Sequence, residues 1–100
     1  MGFKDTVWIP SRRVFILRLL VESGGEVNES IIFKAAQRGG FSVDTRDDIR
    51  QDLDHLRQMG CVTEDRLDER LRVVTITERG DDAAHGRVTV AGVEQSRWRG

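Results

Sequence analysis

Three arginines, Arg46, Arg50 and Arg57, and two glutamines, Gln51 and Gln58, fall within the stretch "TRDDIRQDLDHLRQMG" between Thr45 and Gly60. Guanidinium groups hold phosphate oxygens or pair with guanine, and carboxamides pair with adenine, so these types suit a helix lying in a DNA groove. The same stretch carries Asp47, Asp48, Asp52 and Asp54. A carboxylate can accept from a cytosine amino group, yet it is repelled by the phosphates that supply most of the affinity. On a helical wheel Ile49, Leu53 and Leu56 share one side and the three arginines cluster within about 40° on its flank. The face opposite that buried stripe carries Asp47, Gln51, Asp54 and Gln58, with His55 beside it. Two readings follow from this spacing. In one the arginines grip phosphates; in the other they are solvated or paired within the helix, Asp54 with Arg50 or Arg57 and Asp47 with Arg50 or Arg46.

Further cations lie outside this stretch. Arg38 precedes a glycine pair, and Arg66, Arg70 and Arg72 are interleaved with Glu64, Asp65, Asp68 and Glu69. The expected DNA-contacting set is Arg46, Arg50, Gln51, Arg57, Gln58, Arg70 and Arg72, with sequence choice left to the glutamines. The ending "SRWRG" sets arginines around Trp98, a pattern shared by nucleic-acid tails, protein interfaces and loose chain ends. No catalytic constellation is visible, so the chain reads as no enzyme. His55 and His85 stand thirty residues apart on different elements, and the single Cys61 cannot supply the thiolate cluster that soft-metal selectivity requires. No Cys-x-x-Cys, His-x-x-x-His or phosphate-binding glycine loop is present. No cofactor, metal or small-molecule ligand is implied.

The elements that must position these residues follow from periodicity and breakers. Residues 1–10 read as an arm ending at Pro10, whose fixed φ suits a first helical turn. Helix one is expected over about 11–23, stopped by Gly24 and Gly25. Its apolar residues point almost all round the axis, more than one packing face needs. Asn28 is an N-cap for a helix running to Arg38, and Gly39 and Gly40 end it. Phe41 and Val43 are expected to plug the gap between helices two and three, and Asp44 or Thr45 caps helix three, with Asp47 and Asp48 at the favoured end of its dipole. "CVTE" and "RLRVVTIT" read as a two-stranded hairpin, and Thr77 as the N-cap of a short helix carrying Ala83 and Ala84, with Gly80 counting against it. Residues 88–100 read as a tail. The order is that of an α+β winged helix-turn-helix: three helices, a hairpin wing and a short C-terminal helix, in one domain over 11–87.

One hundred residues support a single modest core and no cleft between lobes. A formal net charge of -1, with charged residues a third of the chain, lacks the global basic excess of a strong non-specific DNA binder. The lone cysteine and the lack of a spanning apolar run suit a cytoplasmic protein with no membrane partner.

Four motifs carry a resemblance: "RRVFILRLL" at 12–20, "NESIIFKAA" at 28–36, "TRDDIRQDLDHLRQMGCV" at 45–62 and "TITERGDDAAHGRVTVAGVE" at 75–94. Together they resemble small winged-helix proteins of Mu-like phages and prophages, a family described as having a repressor-like fold. "VWIPS" departs from that family's helical lead-in. The resemblance implies a phage origin and a DNA-binding-like fold. The leading expectation is a winged-helix transcriptional regulator binding double-stranded DNA as a homodimer. The alternative is a winged-helix protein-interaction module without DNA binding. The expected dimer contact is Trp8, Phe15, Ile16, Leu19 and Leu20, on the argument that so small a domain cannot hide all of these together with Val14, Leu17 and Val21.

Overall fold

A computed structural model describes residues 3–41, 45–67 and 72–98, with side chains from Trp8 onward. Val43, Asp44 and Arg70 lie outside the described residues. The element order is α1 (Phe3–Glu22), β1 (Glu26–Asn28), α2 (Glu29–Arg38), α3 (Arg46–Gln58), β2 (Val62–Arg66), β3 (Arg72–Ile76) and α4 (Glu78–Ala84). This is a winged helix-turn-helix. β1, centred on Val27, joins the hairpin, giving a three-stranded antiparallel sheet in the order β1-β3-β2. Among the described residues, no helix is long and apolar enough to cross a membrane.

Residues 3–10 are not a separate arm, because α1 begins at Phe3 and passes through Pro10. Proline's fixed φ is itself helical; what the ring removes is one backbone donor. Tertiary contacts gather at this turn: the Pro10 carbonyl accepts from Glu94 N–H at 3.1 Å, and Trp8 meets Phe41 edge-on at 6.3 Å. Phe41 also packs at 5.1 Å from Phe15, so both of its described ring partners lie on α1.

The all-round apolarity of α1 has an internal explanation. The helix runs through the middle of the domain, touching α2, α3, α4 and the sheet. Val14, Ile16, Leu17 and Leu20 are all buried within the chain, and Phe15, Leu19 and Val21 pack partly buried against the same core. Ile16 and Leu20 therefore offer no surface to a second subunit, contrary to the interface expected for them. Each such side chain contributes on the order of 1.5–3 kcal/mol when fully buried. The premise that failed was the number of covering layers: helices on several sides and the chain's own end close over α1.

That end is no loose tail. Val90, Val93 and Ser96 are buried, and Trp98 stacks on His85 with ring centres 5.0 Å apart. Arg18 donates to Ser96 Oγ at 3.0 Å, Arg13 to the Gly92 carbonyl at 3.2 Å, and Gln95 to the Gly86 carbonyl at 2.9 Å. The segment has no period because its register is set by these individual contacts. Gly80, the residue counted against α4, permits it instead. The Thr77 side chain caps the helix by accepting from Gly80 N–H at 3.1 Å, and any Cβ at Gly80 would collide with the Cys61 carbonyl.

Candidate nucleic-acid interface

α3 is held at four places, and together they decide which of its faces stays open. Its start is a capping box, with Thr45 N–H donating to Asp48 Oδ2 at 3.2 Å. Ile49, Leu53 and Leu56 are buried against the core. Between them sits Asp52, whose side chain is 1% exposed and accepts from Arg12 Nε and, at 3.1 Å, from Arg13 Nε. Two buried charges, Arg12 and Asp52, and the partly buried Arg13 thus meet where α3 crosses α1. The wheel carried the signal: Asp52 is three residues after Ile49 and four before Leu56, inside the apolar stripe. On the other flank His55 Nε2 donates to the Ala91 carbonyl at 2.6 Å, fastening α3 to the C-terminal segment.

The face left open is the one the wheel identifies. Arg46, Asp47, Gln51, Arg57 and Gln58 are exposed, and Asp54 is partly so. The guanidinium of Arg46 lies 5.9 Å from the Phe33 ring of α2. Arg57 is 3.6 Å from Asp54, an exposed pair one turn apart. Such a pair contributes a few tenths of a kcal/mol, roughly 0.3–0.5, and a phosphate can displace it. Gln51 and Gln58 present their amides outward, and no hydrogen bond to either is among those described.

Arg50 and Arg72 are placed differently. Arg50 Nε donates to Glu29 Oε1 at 3.0 Å, and its Nη1 lies 3.6 Å from Asp47. Arg72, with only 15% of its side chain exposed, reaches Glu29 Oε2 at 3.5 Å and Glu64 Oε2 at 3.4 Å. The sheet register explains this: Arg66 pairs with Arg72, Glu64 with Val74, and Val74 with Val27, so Arg72 and Glu64 share the face that carries the buried Val74 and Val27. Arg72 is spent inside the fold and does not stand on the wing as a phosphate contact, contrary to its expected role. Asp65, Arg66 and Leu67 are exposed at the described end of the hairpin. The partner that unites these charges, Glu29, is buried at the start of α2. A glutamate right after an N-cap reads locally as a dipole-favoured first-turn acid, and nothing in that pattern points to cross-chain partners.

His85 and Cys61 are engaged structurally. His85 Nδ1 donates to the Asp81 carbonyl at 2.9 Å beneath Trp98. Cys61 is a buried free thiol, pushed above its ordinary pKa by burial, which outweighs the opposing pull of Arg79.

Comparison with known proteins places this geometry. The uncharacterized protein gp26 of Escherichia phage Mu is 42% identical over 88 residues, covering 88% of this chain and 90% of the phage protein. The chain belongs to the gp26 family. An uncharacterized protein of Haemophilus influenzae is 35% identical over 79 residues, covering 79% of this chain and 76% of its own length. No protein-family model matches the sequence. A solved structure described as the complex structure of hsRosR-S1 superposes with a TM-score of 0.61 at 26% identity over 72% of this chain, and the match spans 62% of that solved chain. The Mu relationship drawn from the four motifs thus holds for the family, and the solved structure supports the winged-helix fold.

Proposed function

We propose that this gp26-family chain is a phage-encoded double-stranded DNA-binding protein that uses α3 and the hairpin, serves as a transcriptional regulator and acts as a dimer. The observation that carries the reading is the open face of α3. Its core side, Asp52 and His55 are all anchored, while Arg46, Gln51, Arg57 and Gln58 are presented together to solvent on one rigid helix. A helix held on three sides with guanidinium and amide groups on the fourth is the arrangement that major-groove reading requires. In this reading Arg46, Arg57 and Arg66 take phosphates, and Gln51 and Gln58 choose bases. The winged-helix likeness to the solved hsRosR-S1 complex supports it at the level of fold.

Retention on heparin and titration of a labelled random duplex at several salt concentrations test it. Binding should weaken steeply with salt, and replacing both Arg46 and Arg57 by alanine should lower the slope by about one unit for each lost phosphate. Gln51→Ala should alter sequence preference by about 1–3 kcal/mol. No retention at low salt would remove the DNA reading and leave the rival, a winged-helix protein-interaction module. That rival is favoured by the near-neutral charge and by the pairing of Arg50, Arg57 and Arg72 with carboxylates.

Dimerisation now rests on a smaller surface than the whole of α1. Trp8, 43% exposed above Phe41, and the partly buried Phe15 and Leu19 remain for a partner. Two-fold pairing there would place two reading helices on one assembly. A monomeric mass by light scattering at high micromolar concentration would count against it.

A further inference from the structure

Glu29 occupies the point where α2, α3 and the sheet meet, and its two oxygens are divided between them. Oε1 accepts from Arg50 Nε at 3.0 Å and Oε2 faces Arg72 Nε at 3.5 Å, while Arg72 continues to Glu64 at 3.4 Å. The four side chains carry two positive and two negative charges. Three are mostly buried, with exposures of 7% for Glu29, 15% for Arg72 and 10% for Glu64; Arg50 is the outlier at 47%. Arg50 is thus the one member that can turn outward, and it lies on the arginine flank with Arg46 and Arg57.

We propose that Glu29 is a brake on non-specific DNA binding, acting as a positioning residue that holds the Arg50 guanidinium against α2 and away from phosphate. The inference rests on the DNA-binding reading. The charge balance supplies the mechanism. If Arg50 swings to a phosphate, Glu29 keeps Arg72, so no carboxylate is stranded, but one arginine is then left with two buried carboxylates. The resulting single negative charge costs desolvation and repels the approaching backbone. The transfer is accessible but unfavourable wherever the phosphate offers Arg50 no better geometry than Glu29 does. A loose, sequence-independent complex therefore leaves Arg50 on Glu29. Replacing Glu29 by glutamine leaves Arg72 and Glu64 as a neutral pair without emptying the junction, and leaves Arg50 only its exposed contact with Asp47 at 3.6 Å, which a phosphate can displace.

The test titrates a fluorescently labelled random duplex with wild type, Glu29→Gln, Arg50→Ala and the double variant across a salt series. Glu29→Gln should steepen the dependence of log K on log salt by about 0.9, the value of one added phosphate, and bind on the order of tenfold tighter at 50 mM salt. The double variant should lose that gain. An unchanged slope in Glu29→Gln, or a gain that persists without Arg50, overturns the brake while leaving DNA binding intact. Absence of binding by wild type and all variants at low salt overturns the DNA reading, and the brake with it. A measurement on the wild-type protein guards against a misfolded variant. In the random-duplex complex the Arg50 Nε–H nuclear magnetic resonance should keep its free-protein position while those of Arg46 and Arg57 move, and an equal displacement of Arg50 overturns the proposal.

Discussion

Replacing Asp52 by alanine would leave Arg12 and Arg13 facing a vacated buried position. Arg12 is nearly as buried as the aspartate, and Arg13 is largely shielded from solvent. Removing one partner of a buried ion pair costs about 3–5 kcal/mol, and a loss in that range is expected here from urea denaturation. A loss below about 1 kcal/mol, the range of surface pairs, would mean the triad is solvated. Cys61 makes a second residue-scale test. Its thiol is raised from 9.0 by burial, so the folded chain holds the proton longer than the unfolded chain does. That contribution to stability is fully present below the unfolded pKa and is lost as pH climbs through the folded one, so it appears as a decline above about pH 9 that Cys61→Ala removes. The same burial should make alkylation of the folded protein by iodoacetamide at pH 8 much slower than in urea, and equal rates would contradict it.

At the scale of elements, α3 carries an internal tension between its cations and its acids. Asp47 lies 3.6 Å from Arg50, and Asp54 the same distance from Arg57. Asp47→Asn with Asp54→Asn keeps shape and hydrogen-bonding capacity while removing two charges from the open face. If that face enters a groove, random-duplex affinity should rise and its salt dependence steepen, read by anisotropy at two salt concentrations. If the face instead meets a protein, DNA binding stays absent and the partner complex weakens as its cations lose their counterparts. No gain on neutralisation would count against groove entry by α3. The C-terminal segment matters to the same element from behind. Gly92 has φ +76°, and a Cβ there would lie 2.5 Å from His55 Nε2 and 2.8 Å from Arg13 Nη1. The positive φ favours glycine at this point, where the Ala91 carbonyl accepts from His55 and the Gly92 carbonyl from Arg13.

For the molecule as a whole, the two tryptophans sit at separate places on one core. Trp8 meets Phe41 beyond the end of α2, and Trp98 covers His85 beside α4. Because α1 runs between these regions and packs against both, they should unfold together. Single-tryptophan proteins made by Trp8→Phe or Trp98→Phe should give coincident urea midpoints by fluorescence, matching circular dichroism once each substitution's own effect is subtracted. An earlier transition at Trp98 would mean that the C-terminal segment peels away independently. The cooperative picture treats residues 88–98 as part of the domain, which the burial of Val90, Val93 and Ser96 supports.

Local signals in the sequence were enough for element order, caps and the open face of α3. Asn28 accepts from Ile31 N–H at 2.9 Å and Thr77 from Gly80 N–H at 3.1 Å, as their positions before apolar runs require. The stripe of Ile49, Leu53 and Leu56 determined which side of α3 faces the core because helical period alone relates them. Contacts between residues distant in sequence decided the rest. Pro10 stands inside a helix, and the aperiodic end is pinned at Ala91, Gly92 and Ser96. Arg72 and Glu64 become interior charges because strand register turns them to the covered face. Whether Ile16 and Leu20 are surface or core depends on how many elements close around α1, and no window along the chain contains that number. The disposition of Arg50 is equally non-local, since the carboxylate that accepts from it, Glu29, lies twenty-one residues away on another helix. Periodicity assigns a residue to a face; only packing determines whether that face meets water, a partner charge or the core.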